Sequence, residues 1–485
     1  MANPPPKIRW AIFFAVALLA LALRLPQLGE RPMHSDEAVN AYITGDLLAG
    51  ESFHYDPQDR HGPALFILAK PVAQLCGAKN FSELTETQLR LTPVLVGSAM
   101  ILLFGAGVEW CGFIVCLVAA LLFAFAPLPL YYNRYFIHES LFVAATLGLI
   151  LSGRRTLKTN SISSAALAGF CAALMLACKE TAVLHFLALG LAAAIGWRFH
   201  AARKMPPART WLTAALTFLV AGILLFTWGG KNWPALADLF RAIPNFAARA
   251  GGEGHEKPFW YYAVLLAGGL SGALILGLAA LGMVRAFRPP RQIVLAGYTL
   301  LIAMIYSAIP YKTPWLAMNL WLPLAILAGF AVEWLWLAAP KFSNRTLILA
   351  FTVGLGILIG HDTRQRVFVH PADEKNPYAY AHTGEDLARL PARLEQLARE
   401  NRNSNPRIAV VAADAWPLPW YLREFSQVGY WQPGQETGGA DFFITTTDVS
   451  GELAGRLKNF RPEYFGARPN VLLVLWTPDA KQTSP

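Results

Sequence analysis

Charge is scarce in this 485-residue chain. Asp, Glu, Lys and Arg make up 15% of it while 55% is hydrophobic, against about 25% charged residues in a soluble domain. A chain so poor in charge does not read as an ordinary soluble enzyme. Cysteine is scarce too. The five present (Cys76, Cys111, Cys116, Cys171, Cys178) form no CxxC and no Cys/His spacing, which leaves neither a disulfide framework nor a zinc motif; they read as small apolar fillers. No G-x-G-x-x-G or G-K-[ST] phosphate loop occurs, so no nucleotide cofactor is expected. Internal repeats are lacking as well, which removes the solenoid architectures.

What fills the chain is long apolar runs. They lie at roughly 9–28, 89–108, 112–131, 138–153, 161–178, 182–199, 210–228, 259–283, 292–309, 316–338 and 346–360. Runs of about 18 residues or more are long enough to cross a bilayer. Eleven runs, nine of them this long, predict an α-helical polytopic membrane protein. The first continues into Arg24 with no small-residue cleavage pattern, so it reads as an uncleaved helix rather than a signal peptide. With Lys7 and Arg9 placed in the cytoplasm, alternation makes 109–111, 153–158, 198–209, 285–291 and 341–345 the inner loops. Four of these five are short and basic, as the excess of Lys and Arg in cytoplasmic loops requires. The net charge of +10 is explained by those loops, and nucleic acid is not an expected partner.

The outer segments differ in character. The first, 29–88, is long and holds two short amphipathic stretches, Asp36–Ala49 and Pro63–Cys76, suited to lying at the membrane surface. After about 361 the composition turns polar. Residues 383–401 have helical periodicity, 416–425 start a second helix, and the stretches at 407–414, 440–448 and 470–478 read as strands. Helices alternating with strands predict a small α/β domain. The expected division is therefore a membrane domain, 1–360, carrying the long first loop, and an extracytoplasmic α/β domain, 361–485.

Charged residues at the ends of the apolar runs collect on the outer side: Asp36, Glu37, His61, Arg134, His138, Glu139, Lys179, Glu180 and Lys312. Ionisable groups so close to lipid are expensive and ask for a reason. Carboxylates supply a general base or bind a divalent cation, and Arg and Lys hold phosphate. Blander roles exist for each. Ser35 and Asp36 are good N-caps for the following helix, Arg134 and His138 sit beside interfacial tyrosines, and Lys312 can snorkel. Lys179-Glu180 lies between two apolar runs with almost no loop to sit in. The set as a whole fits a site for an anionic, lipid-linked substrate.

Seven strings carry a family resemblance: HSDEA (34–38), YDPQDRHGPALF (55–66), YNRYFIHE (132–139), CKET (178–181), YKTPWL (311–316), NPYAYAHT (376–383) and WPLPWYLR (416–423). With about a dozen spans and an outer C-terminal domain, the chain resembles the GT-C glycosyltransferase superfamily, which includes protein O-mannosyltransferases and lipid A aminoarabinose transferases. It is more similar still to a bacterial and archaeal mannosyltransferase-like subfamily described as flippase-activity-associated. The resemblance implies transfer of a sugar, hexosyl or mannosyl-like, from a polyprenyl-phosphate-linked donor to a glycan, lipid or protein acceptor at the outer face of the cytoplasmic membrane. It implies Asp36 as catalytic base or metal ligand and Glu37 as its neighbour in the same work. His61 would contact lipid phosphate where relatives often place Lys or Arg, and His138 and Glu139 match a second polar motif. On chemistry, Arg134, Lys179, Glu180 and Lys312 join the substrate- and phosphate-binding set. A divalent metal (Mg, Mn or Zn) is implied, with Asp36 and Glu139 as candidate ligands. Two other readings are a flippase or transport-associated protein for lipid-linked glycans and a non-catalytic scaffold of a glycan-assembly complex.

Overall fold

The computed structural model describes residues 3–479 apart from 59–60, 199–204, 253, 288–291, 340, 452, 454 and 456. Parts of the basic loops 198–209 and 285–291, and residues 59–60 of the second string, lie outside the described residues. In chain order the helices begin with α1 (Pro6–Arg24), α2 (Ser35–Leu48), α3 (Ala64–Leu75), α4 (Glu86–Cys111), α5 (Phe113–Phe125) and α6 (Pro127–Tyr132). Next come α7 (Glu139–Thr159), α8 (Ile162–Cys178), α9 (Ala182–Arg198), α10 (Ala208–Phe226), α11 (Ala235–Arg249) and α12 (Tyr261–Leu266). Then follow α13 (Gly269–Ala286), α14 (Ile293–Ala308), α15 (Ala317–Ala338) and α16 (Phe342–Thr363). The C-terminal part holds α17 (Glu385–Glu400), β1 (Ile408–Val411), α18 (Leu418–Tyr421), β2 (Val428–Trp431), β3 (Phe442–Thr446), β4 (Phe460–Arg468) and β5 (Val471–Pro478).

The chain divides into two compact units. One comprises 1–28, 52–72 and 90–371; the other comprises 29–51, 73–89 and 372–485. The second unit thus takes in two pieces of the long first loop, whereas the sequence reading placed that whole loop with the membrane domain and cut at 360. The reason is local. α2 contributes mostly buried residues, among them Ala38, Ala41, Ile43 and Leu47, so it is a packed element of its unit rather than a loose surface helix.

In the first unit each expected span is matched by a helix or a helix pair. Among the described residues, six helical stretches are long and apolar enough to cross a membrane: Pro6–Arg24, Glu86–Cys111, Ala208–Phe226, Gly269–Ala286, Pro314–Ala338 and Ser343–Val369. The others are shorter or interrupted. Proline at 127 and 129 ends the run 112–131 early and splits it into α5 and α6. The run 259–283 breaks at Gly268–Gly269, where Gly269 has φ +83°, a conformation that suits glycine. The break is held by the Arg366 guanidinium, which donates to the Gly268 carbonyl at 2.9 Å, and by Ser271, which donates to Asp362. α7 is long but carries Arg154, Arg155 and Lys158 in its last turns. Helices pack closely where side chains are small. A Cβ on Gly282 of α13 would overlap the Leu327 carbonyl of α15, the small-residue contact typical of membrane bundles.

Buried arginines in this unit are bound to carbonyls, which removes the penalty of an unsatisfied charge. Arg24 donates to Ala20 and Ala124 at 2.8 and 3.2 Å and to Phe123 at 2.7 Å. One helix was not legible in the sequence: α11, in the segment 229–258, with Phe240 and Ile243 exposed on one face.

The second unit holds a five-stranded sheet in the order β2-β1-β3-β5-β4. β1 pairs in parallel with β2 and β3, while β5 runs antiparallel to β3 and β4. Ala409, Val411, Phe443, Val449, Leu453 and Leu457 form a core on which Trp431, Phe460 and Trp476 pack. α17 presents Leu387, Leu390, Leu394 and Leu397 inward, the i, i+3, i+7 spacing of an amphipathic helix. Its Arg393 forks onto Glu463 of β4, with Nε donating to Oε2 at 2.8 Å. The three strands expected are present. The two that were not expected, β2 and β4, are the edges, where short, mixed or Pro-bearing segments are tolerated.

Candidate active site

Within the first unit, the ends of α7, α8 and α3 bring five predicted residues together. α8 ends at Cys178; Lys179 is extended and Glu180 lies in the turn before α9. Glu139 opens α7, where an acid suits the positive end of the helix dipole. The Lys179 ammonium forms an ion pair with Glu139 Oε1, both groups buried. Glu139 Oε2 is buried without a hydrogen-bond partner among the described residues. An oxygen of that kind costs on the order of 1–3 kcal/mol if left unfilled, so it marks a place where a donor is due.

Glu180 is tied on both oxygens. Oε2 lies 2.9 Å from His61 Nδ1, and Oε1 accepts from the Tyr55 hydroxyl at 2.6 Å. Burial alone would push the Glu180 carboxyl up. The neighbouring His61 ring and the bonds from His61 and Tyr55 outweigh it and hold the group below the usual carboxylate value. His138 sits with its Nε2 3.1 Å from the Gly62 carbonyl and its ring edge-on to His61, centroids 5.5 Å apart. The glycine of the HGP string has a steric reason, since a Cβ on Gly62 would overlap the Ala177 carbonyl at the end of α8. That close approach sets His61 against Glu180.

Two predicted cations of this unit are engaged elsewhere. The Arg134 guanidinium donates to the carbonyls of Pro26 and Gln27 at 2.6 and 3.0 Å and lies over the Phe368 ring. Lys312 donates to the carbonyls of Ile309 and Lys257 at 2.5 and 3.1 Å. Both join backbone segments, which is ordinary work for a buried cation. Sequence reading did not foresee Tyr55 as a partner. It also missed a buried trio in which the two His185 ring nitrogens meet the hydroxyls of Tyr298 and Tyr306 at 2.8 and 2.7 Å.

The acidic pair lies in the second unit. Asp36 is in the first turn of α2 with its side chain 49% exposed. Glu37 is fully buried; its Oε1 accepts from Arg31 at 3.4 Å and its Oε2 from the His34 N–H at 3.3 Å. Ser35 and Asp36 were the expected caps. The cap is instead His34, whose ring Nδ1 accepts from the Asp36 N–H at 3.0 Å, with Glu37 completing a capping box. The helix starts one residue early because a ring nitrogen can do what a hydroxyl or carboxylate oxygen does. Arg468 of β4, unforeseen from sequence, donates to Ser35 Oγ at 3.4 Å and to Asp414 Oδ2 at 3.0 Å.

Among the described residues, no group of three or more His, Cys, Asp or Glu side chains is placed to hold a metal ion. Glu139 already shares one oxygen with an ammonium. A single carboxylate so neutralised does not match the oxygen-rich set a divalent cation needs.

No family model matches the sequence, and no curated protein matches it. Solved structures do. ArnT from Cupriavidus metallidurans bound to undecaprenyl phosphate is 16% identical, covers 96% of this chain and 98% of its own, and superposes with a TM-score of 0.65. The Archaeoglobus fulgidus oligosaccharyltransferase in complex with Zn and sulfate is 11% identical over 98% of this chain and 74% of its own, TM-score 0.57. The arabinofuranosyltransferase AftD from Mycobacteria is 16% identical over 99% of this chain and 40% of its own, TM-score 0.51. At such identities the likeness is one of fold. The chain has the multi-pass membrane fold of GT-C glycosyltransferases.

Proposed function

We propose that this chain is an integral-membrane glycosyltransferase that moves a sugar from a polyprenyl-phosphate-linked donor to a glycan, lipid or protein acceptor at the outer face of the cytoplasmic membrane. The observation that carries it is the Lys179–Glu139 pair with its spare buried oxygen, set beside His61 and Glu180, in a chain with this fold. The undecaprenyl phosphate bound by ArnT supplies the donor class. Hexosyl or mannosyl-like transfer is the finer expectation.

In this reading Asp36, half-exposed at a fixed helix start, is the base. It takes the proton of an acceptor hydroxyl as that oxygen forms its bond to the anomeric carbon. The bond from that carbon to the lipid phosphate oxygen breaks, and its electron pair leaves with the phosphate. Lys179 and His61 meet the growing phosphate charge, a contribution that is larger in a site shielded from water. Glu139 and Glu180 hold those two cations in place. Glu37, with both oxygens engaged, fixes the helix start and Arg31 rather than touching substrate. A divalent ion at Asp36 or Glu139 would add positive charge at the phosphate, but the donor set described above does not fit one, and every step is assigned to the chain's own groups. The transport and scaffold readings gain no specific observation.

The test uses purified full-length protein in nanodiscs with radiolabelled undecaprenyl-phosphate-linked mannose, glucose and aminoarabinose, with water or membrane extract as acceptor. Wild type releases label from at least one donor, and Asp36→Asn slows that release by about 100-fold or more, the range of a lost general base. Release by Asp36→Asn at the wild-type rate, or no release from any donor by wild type, overturns the reading.

A further inference from the structure

We propose that His34, as the neutral tautomer protonated on Nε2, is the positioning residue for the Asp36 carboxylate. The proposal rests on the reading of Asp36 as the base and goes beyond it, because it concerns a side chain that never meets substrate.

Two contacts fix the state of the ring. Nε2 lies 3.1 Å from the Tyr380 carbonyl, which can only accept. Nδ1 lies 3.0 Å from the Asp36 N–H, which can only donate. Only an imidazole with its proton on Nε2 satisfies both partners. An imidazolium would set Nδ1–H against the Asp36 N–H, and the opposite tautomer would fail on both sides. The ring is thus a one-state cap that holds the amide of the residue carrying the proposed base.

The surroundings lock it. The ring is buried, and His382 packs edge-on with centroids 5.6 Å apart. On either side the chain is pinned, with the Met33 N–H donating to Tyr421 Oη at 2.9 Å and Thr383 Oγ1 donating to the Met33 carbonyl at 2.7 Å. Arg31, Asp36 and Glu37 face the ring from its own segment, His382 from residues 372–384, and Arg468 reaches the adjacent Ser35 from β4.

The experiment measures donor cleavage at pH 7.5 with full-length protein and the undecaprenyl-phosphate-linked sugar that wild type cleaves. Three variants are compared. His34→Ala removes the acceptor and lowers kcat about 10-fold with donor KM unchanged, a tenfold rate effect being the scale of one hydrogen bond. His34→Asn restores an uncharged cap and returns kcat to within about 3-fold. His34→Phe keeps a ring without an acceptor nitrogen and falls with His34→Ala. A wild-type kcat in His34→Ala or His34→Phe, or a kcat in His34→Asn as low as in His34→Ala, overturns the proposal. Should His34→Ala fail to fold, His34→Asn against His34→Phe decides. Asp36→Asn in the same series separates the two readings. An active Asp36→Asn sinks the catalytic assignment, whereas an inactive one beside an unaffected His34→Ala sinks only this proposal.

Discussion

The start of α2 and the helix ends around Glu139 put carboxylates to opposite uses. In the second unit two adjacent acids part company: Asp36 is half-exposed at a fixed helix start, while Glu37 is buried and bound on both oxygens. In the first unit the acids are buried and face cations, Glu139 against Lys179 and Glu180 against His61. The contrast extends to the lysines. Lys179 holds a carboxylate with an oxygen to spare, whereas Lys312 is taken up by the Ile309 and Lys257 carbonyls. Residue type therefore says little about availability. What separates a group that can act from one that only holds the fold is whether the backbone has already claimed it.

The largest effect is expected from removing the Lys179 charge. In Lys179→Met the Glu139 carboxylate loses its cation inside the bundle. Breaking a buried pair on one side costs about 3–5 kcal/mol, so thermal unfolding in detergent should fall sharply. Lys179→Met/Glu139→Gln, which removes both charges, should recover a large part of that loss. If the single and double variants unfold alike, the pair is not the buried element described. Lys312→Met serves as the contrast: its carbonyl partners are neutral, so no carboxylate is left behind and no second substitution rescues it.

The fold was largely legible because apolar runs of bilayer length leave few alternatives. The sites of interruption were read less well. The prolines at 127 and 129 and the Gly268–Gly269 break sit inside runs whose average hydropathy hides them. The edge strands β2 and β4 were invisible because an edge need not alternate. At the candidate site, sequence grouped charges by their place along the chain, and this was enough to gather His61, His138, Glu139, Lys179 and Glu180 in one unit. It could not separate Lys179 from Lys312, since nothing in YKTPWL says that its ammonium will meet the Ile309 carbonyl. Nor could it choose His34 over Ser35 as the cap, because a ring nitrogen accepts only when its tautomer is fixed by a distant partner such as Tyr380.

The two acidic neighbours in HSDEA should respond differently to loss of charge. Asp36→Asn alters a half-exposed group and should leave stability within about 0.5 kcal/mol of wild type. Glu37→Gln keeps an acceptor for the His34 N–H but takes the carboxylate from Arg31, a charged hydrogen bond worth about 1.5–3 kcal/mol. Denaturant unfolding followed by a probe in the second unit should therefore single out Glu37→Gln, while donor cleavage singles out Asp36→Asn. Reversal of either pattern would undo the division of labour between them.

The smallest expected effect lies with Glu180 and depends on acid. Its carboxyl, in the turn outside the spanning helices, is held below its ordinary value of 4.5 in the fold and returns to that ordinary value in the unfolded chain. Over the interval between those values the unfolded chain binds more protons, so stability rises with pH there. The contribution is complete at neutral pH and is lost as pH falls below about 4.5 toward the folded value. Other carboxylates titrate in the same range, so the readout is a difference between wild type and Glu180→Gln. The gap in their unfolding midpoints should be widest near neutrality and should close as pH is lowered through 4.5. A gap that is constant with pH would mean that the His61 and Tyr55 contacts stabilise the neutral acid as well as the carboxylate, and the cluster would lose its claim to be held together by charge.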